Sequence, residues 1–158
     1  MHMKLYFHQT GIGRIGIAEE NGSITNLYFE TDTVPQNVEI CETEVIKEAF
    51  KQMEAYLAGN LKIFSLPLAP GGTDFMRTVW KILCGVPYGK TASYKEIAIA
   101  AGNPKAARAV GLANNKNPVP LFIPCHRIIG ADGKLVGYRG GLEVKMKLLE
   151  LEKYHGTV

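Results

Sequence analysis

The segment Leu66-Pro67-Leu68-Ala69-Pro70-Gly71-Gly72 breaks every periodicity around it, and it limits the folds open to this chain more than any other stretch. Proline lacks a backbone donor and glycine costs extra entropy to order, so neither a helix nor a strand runs through such a segment. It therefore predicts a boundary, with residues 1–70 forming one domain and residues 71–158 another. At 158 residues and 46% apolar, the chain can bury two small cores without disulfides or metal staples.

The two halves carry different patterns. Lys4–His8, Arg14–Glu19 and Ser23–Glu30 are rich in Ile, Leu, Tyr and Phe, and Asn21-Gly22 is a strong hairpin signal. Residues Thr43 to Ala58 place Val45, Ile46, Ala49, Phe50, Met53, Tyr56 and Leu57 at helical spacing, with Thr43 as cap and Gly59 as stop. A small antiparallel sheet with one helix follows for the first half. The second half reads as mostly helical. A helix starts at a Thr73 or Asp74 cap with Phe75, Val79, Ile82 and Leu83 on one face, and ends at Gly85-Val86-Pro87-Tyr88-Gly89. Ser93 and Glu96 form a capping box for a second helix, which stops at Gly102. Asn103-Pro104 starts a third through Lys105-Ala106-Ala107-Arg108-Ala109-Val110. The last two, joined by a short turn, resemble a helix-turn-helix that presents Arg108 outward. Ala106, Ala107, Ala109 and Gly111 suit either a close approach to a nucleic-acid backbone or tight helix packing, and the pattern does not choose between them. Ile128-Ile129 and Leu135-Val136 flank a turn at Ala131-Asp132-Gly133-Lys134 and predict a small wing. Leu142 to Lys153 predicts a final amphipathic helix with Val144, Leu148, Leu149 and Leu151 on its apolar side. The fold class expected is α+β, a sheet-and-helix domain followed by a winged-helix-like one.

Composition narrows the function. Cys41, Cys84 and Cys125 are odd in number and irregularly spaced, which suits free thiols better than a disulfide framework or a metal motif. No apolar run reaches the length needed to cross a bilayer, and Met1-His2-Met3-Lys4 leads into a strand rather than a signal sequence, so the expectation is a cytoplasmic protein. The net charge of +3 is mild. Its distribution is more telling, because Arg77, Lys81, Lys90, Lys95, Lys105, Arg108, Lys116, Arg127, Lys134 and Arg139 face only Glu96 and Asp132 between Met76 and Arg139. That half is suited to meeting phosphates.

The loop from Asn114 to Pro120 and the apolar run Leu121-Phe122-Ile123 deliver Pro124-Cys125-His126-Arg127. A cysteine attacks as thiolate, so it needs a base or a positive field at neutral pH, and His126 and Arg127 supply candidates for both. By residue type alone, a buried structural cysteine beside a coincidental histidine is the commoner arrangement.

The longer string decides more. Asn117-Pro118-Val119-Pro120-Leu121-Phe122-Ile123-Pro124-Cys125-His126-Arg127, with Pro104-Lys105-Ala106-Ala107-Arg108-Ala109-Val110-Gly111 before it, closely resembles the active-site and recognition-helix segments of the O6-alkylguanine-DNA alkyltransferases. The match extends upstream through Phe75 to Trp80 and Gly89-Lys90-Thr91-Ala92-Ser93-Tyr94. Downstream it takes in Tyr138, Gly140-Gly141-Leu142 and Leu148-Leu149-Glu150-Leu151-Glu152. Residues 1–70 resemble the family only in layout. The resemblance implies a DNA-repair methyltransferase that moves the alkyl group of O6-alkylguanine, and of O4-alkylthymine, irreversibly onto Cys125 in a single turnover. It implies that His126 relays the thiol proton through a water, that Glu152 orients His126, and that Asn117 braces the turn. Tyr94 then crowds the target phosphate and donates to the leaving base. Arg108 fills the gap left by a flipped nucleotide, with Lys105, Ala106, Ala107 and Arg127 among the DNA-contacting residues. Tyr138, Ile128, Val136, Arg139 and Pro120 form the base pocket, and Arg139 stands where some members have a small hydroxyl residue. Flipping is a physical requirement, since an O6 substituent lies inside the duplex beyond the reach of a thiolate. The partner implied is double-stranded DNA bound through the minor groove by a monomer, with no cofactor and no metal.

Rival readings are a binding-only alkyltransferase-like protein, a cysteine hydrolase using Cys125 and His126, and a transcriptional regulator using only the helix-turn-helix. The first replaces the cysteine that this chain retains, and the adjacency of Cys125 and His126 is wrong for most hydrolase dyads.

Overall fold

The computed structural model describes residues 2–156. The architecture is α+β, and the chain divides into two compact units, Met1–Gly71 and Gly72–Val158.

The first unit is a four-stranded sheet covered by one helix. Strands β1 (Met3–Thr10), β2 (Gly13–Glu20) and β3 (Ser23–Tyr28) form an antiparallel meander. The Asn21-Gly22 turn has both residues at positive φ (53° and 83°), the geometry that matches the strand twist. The sheet is not purely antiparallel as expected. A short strand β4 (Val38–Ile40) adds to the free edge of β1 in parallel. Its three residues are too few to show an alternating pattern in the sequence.

Helix α1 (Glu44–Leu57) starts at Thr43, whose hydroxyl accepts from the Ile46 amide, a cap worth about 1 kcal/mol. It buries Ile46, Ala49, Phe50, Met53 and Tyr56, and the ring of Phe50 meets His8 of β1 at 4.4 Å between centroids. His8 pairs with Ile15 and Tyr6 with Ile17, so that face of the sheet lies beneath the helix. On the opposite face Leu5, Ala18 and Tyr28 gather Met3, Phe7, Val34 and Val38. Gly16 is required there, because a Cβ at that position would come within 2.6 Å of the Phe7 ring. The proline-rich segment is partly anchored: the Ile24 amide donates to Pro67 and the Ala69 amide to Ile24.

The second unit contains α2 (Asp74–Cys84), β5 (Ala92–Ser93), α3 (Tyr94–Ala100), α4 (Ala107–Asn115), β6 (Ile128–Ile129) and α5 (Leu142–His155). Thr73 caps α2, and the buried face is Val79, Trp80 and Leu83. Phe75, expected on that face, is exposed. The Trp80 indole instead reaches α4, donating to the Ala113 carbonyl at 2.9 Å. The Ser93–Glu96 capping box forms as expected.

Three details differ from the sequence reading. Helix α4 begins at Ala107 rather than at Asn103-Pro104, because Asn103 accepts from the Lys105 and Ala106 amides and closes a turn of its own. Leu135-Val136 forms no strand; β6 pairs in parallel with β5 instead. The last helix buries Lys145, Leu148 and Glu152 rather than a purely apolar stripe. Among the described residues, no helix is long and apolar enough to cross a membrane.

Candidate active site

The β5–β6 pairing assembles the site. Ala92 pairs with Ile128 and Ser93 with Ile129, so Tyr94, next along the chain from Ser93, is held near the single 3₁₀ turn Cys125–Arg127 that precedes Ile128. That turn is reached through a tightly bound loop. The Asn117 amide group donates to the Ile123 carbonyl (2.9 Å) and accepts from the Val119 amide (3.0 Å), and Leu121 adopts a positive φ of 76°. The Cys125 amide folds back to Ile123 (2.7 Å). Left-handed backbone at a bulky residue is rare and is held here by packing, since Leu121 is itself buried.

Behind the turn lies a buried charge network. Glu152, on α5 and 1% exposed, accepts from His126 Nε2 at 2.7 Å, from Arg127 Nε at 2.8 Å and from Arg127 Nη2 at 2.9 Å. It also accepts from the Gly89 amide at 3.2 Å, and Gly89, at a φ of +80°, is a position that favours glycine. Arg127 Nη1 donates to the Val86 carbonyl. With Glu152 ionised, His126 carries its proton on Nε2, which leaves Nδ1 as the acceptor; Nδ1 makes no hydrogen bond to the protein. Burial pushes the His126 pKa down, the contacts with Glu152 oppose this, and the charges of Arg127 and Lys145 add to it. The imidazole is therefore neutral and able to accept a proton.

Cys125 is buried, and burial pushes its thiol pKa up. A hydrogen bond from Asn117 and the charges of Arg139 and Lys145 pull the other way. The positive field at the sulfur thus comes from Arg139 and Lys145, not from the adjacent Arg127. Arg127 was expected to contact DNA, and the structure corrects this: it is buried and engaged with Glu152, out of reach of a phosphate.

The remaining residues fall into two groups. Cys125, Asn117, Pro120, Tyr138 and Arg139 line one pocket. Ile128 is buried beside it in sequence, and the Val136 carbonyl accepts from Lys145 Nζ (2.9 Å) and the Tyr94 hydroxyl (3.5 Å). Arg108 is exposed in the first turn of α4 and Lys105 just before it, with Ala106 and Ala107 half-buried between them, and a Cβ at Gly111 one turn on would lie 3.6 Å from the Tyr94 ring. Two contributors escape sequence reasoning. Lys145 is fully buried and clamps the Val136 and Gly137 carbonyls. Asn114 donates to the Cys125 carbonyl at 3.5 Å and also lines the pocket. A lysine on a terminal helix reads as solvated, and only its seven-residue separation from Glu152, two helical turns, hints that the two share a face.

Comparison with known proteins identifies the family. Residues 74–154 match the family model described as 6-O-methylguanine DNA methyltransferase, DNA binding domain, and residues 1–70 match that of its ribonuclease-like domain. The chain is 60% identical over 107 residues to a methylated-DNA--protein-cysteine methyltransferase of Methanosarcina barkeri, covering 68% of each chain. It is 44% identical over 154 residues to that of Methanosarcina mazei, covering 94% of this chain and 98% of the relative. The crystal structure of Mycobacterium tuberculosis OGT in complex with DNA superposes with a TM-score of 0.91 at 44% identity, covering 96% of this chain and 94% of that one. The chain belongs to the 6-O-methylguanine DNA methyltransferase family, proteins that repair DNA by transferring an alkyl group from it to a cysteine.

Proposed function

We propose that Cys125 is the acceptor and that the buried network behind it serves to deprotonate it. The observation that carries this is the conjunction of a thiol whose pKa burial raises with a neutral His126 whose Nε2 is fixed on Glu152. A thiol held protonated needs a base at the moment of attack, and Nδ1 is the nitrogen left to act, through a water. Sγ then attacks the alkyl carbon in line, the C–O6 bond breaks with its electron pair on the purine, and the purine takes up a proton to leave as guanine. The imidazolium formed at His126 is stabilised by Glu152. Nothing in this sequence regenerates the thiol, so each molecule acts once.

Tyr94 sits at the start of α3 with its hydroxyl at the Val136 carbonyl, suited to meeting the leaving base beside the pocket. Arg108 projects from α4 as the side chain that fills the stack when the nucleotide rotates out, and Lys105 with Ala106 and Ala107 lets that helix approach the minor groove. Tyr138, Ile128, Val136, Pro120 and Arg139 form the pocket for the flipped base, which on this reading takes O6-alkylguanine and also O4-alkylthymine. The protein acts as a monomer on double-stranded DNA, in the cytoplasm; the DNA-bound M. tuberculosis structure supports the choice of partner.

The test is intact mass after incubation with excess duplex carrying O6-methylguanine. Addition of one methyl group, mapped by peptide sequencing to Cys125 and absent in Cys125→Ser, is the expected result. An unmodified protein, or a methyl group on Cys41 or Cys84, overturns the assignment.

A further inference from the structure

We infer that Asn114 helps to decide which alkylated base is repaired: its side-chain oxygen accepts a hydrogen bond from the 2-amino group of the flipped purine and so favours O6-alkylguanine over O4-alkylthymine. This rests on Cys125 as acceptor and on the adjoining pocket as the seat of the base. Asn114 stands in the last turn of α4, is 4% exposed, and lines the same pocket as Cys125 and Tyr138. One end of its amide is placed by the protein, since Nδ2 donates to the Cys125 carbonyl at 3.5 Å. Turning the amide over would set two oxygens against each other, which fixes Oδ1 as the other end. Oδ1 is buried and accepts no hydrogen bond from the protein. A buried acceptor in that state is costly, and in the wall of a pocket it is accounted for by a bound group that donates to it. The neighbouring Asn117 is not equipped for this reading, because its Nδ2 is engaged with the Ile123 carbonyl and its Oδ1 with the Val119 amide.

The chemistry of the adducts determines what such an oxygen selects. Alkylation at O6 removes the N1 proton of guanine, so the base of the nucleotide keeps one N–H donor group, the 2-amino group. Alkylation at O4 removes the N3 proton of thymine and leaves that base with none. Oδ1 therefore gains a partner from the first base and stays unpaired beside the second. Discrimination is strongest in this sense, where a site built to receive a hydrogen meets a substrate that lacks it. The displacement at Sγ is the same in both cases.

The experiment compares single-turnover rates on duplexes carrying O6-methylguanine, O6-methylhypoxanthine or O4-methylthymine, each opposite an abasic site so that pairing strength does not differ. The hypoxanthine adduct matches the guanine adduct except for the missing 2-amino group. Wild-type protein is compared with Asn114→Leu and Asn114→Met, and circular dichroism establishes which variants are folded. The readout is the guanine-to-hypoxanthine rate ratio, in which any effect of the lost Nδ2 contact on the cysteine turn cancels. Wild-type protein is expected to favour guanine by about ten-fold, and a folded variant to lose most of that preference. The guanine-to-thymine ratio should fall in parallel. A folded variant whose guanine-to-hypoxanthine ratio stays within about two-fold of wild type overturns the inference while leaving methyl transfer intact. Wild-type protein that transfers equally fast from guanine and hypoxanthine overturns it as well, without recourse to a variant. If wild-type protein gains no mass from any of the three duplexes, the assignment of Cys125 falls instead.

Discussion

Glu152→Gln separates a catalytic network from a merely structural one. The carboxylate accepts from His126 Nε2, from two nitrogens of Arg127 and from the Gly89 amide. Glutamine has nearly the same shape but one face that donates. Turned toward His126, the amide NH₂ must be received by Nε2, and the imidazole proton moves to Nδ1, the nitrogen proposed to take the thiol proton. Losing a positioned base costs roughly 10²- to 10⁴-fold in rate, and the wrong histidine tautomer removes the base as surely as deleting it. Whichever way the amide turns, it also presents hydrogens to Arg127, which is buried with Glu152 as its ion-pair partner. Breaking such a pair costs about 3–5 kcal/mol, so urea unfolding belongs in the same experiment. Rates are read by quenched mass spectrometry on duplex O6-methylguanine under conditions where circular dichroism shows the variant folded. A folded Glu152→Gln protein that transfers at the wild-type rate would refute the tautomer reasoning.

Arg127→Met should act through pH. The guanidinium lowers the His126 pKa, so its removal lets His126 hold a proton to higher pH, and the acidic limb of the pH–rate profile shifts upward; an unshifted limb argues against the electrostatic role. Arg108→Ala should slow transfer from duplex DNA while leaving reaction with free O6-benzylguanine unchanged; equal losses on both remove the finger assignment. Stability should fall with acid. Burial keeps His126 neutral in the folded state, whereas the unfolded chain protonates it near pH 6.5. Below that value the unfolded state binds the extra proton, so stability is full above about pH 6.5 and declines as pH falls through it. Urea midpoints across this range should show a slope that His126→Gln reduces.

Local signals in the sequence were reliable where local chemistry decides the outcome. The Asn21-Gly22 turn, the Thr43 and Thr73 caps and the Ser93–Glu96 box appear in the structure because each depends on residues within one turn of chain. Features that depend on distant partners were not legible. Strand β4 exists because β1 offers an edge, and β6 pairs with β5 rather than with Leu135-Val136. Phe75 left the predicted face of α2 because Trp80 turned inward to Ala113. Charge was the most misleading cue. Arg127 and Lys145 look like solvated cations, and both are buried because partners from elsewhere in the chain satisfy them. The site residues named in the sequence came from the motif around Cys125 and the family resemblance, and the roles of Glu152 and Tyr94 could not have been read from composition or periodicity.

The placement of Glu152 on α5 has a consequence for biosynthesis. Cys125 leaves the ribosome before the helix that completes its surroundings, by an interval on the order of seconds at ordinary elongation rates. Until that helix docks, the imidazole has no carboxylate to fix its tautomer and the sulfur has no nearby Lys145. A nascent polypeptide therefore has the cysteine but not the assembled base until its last helix is in place.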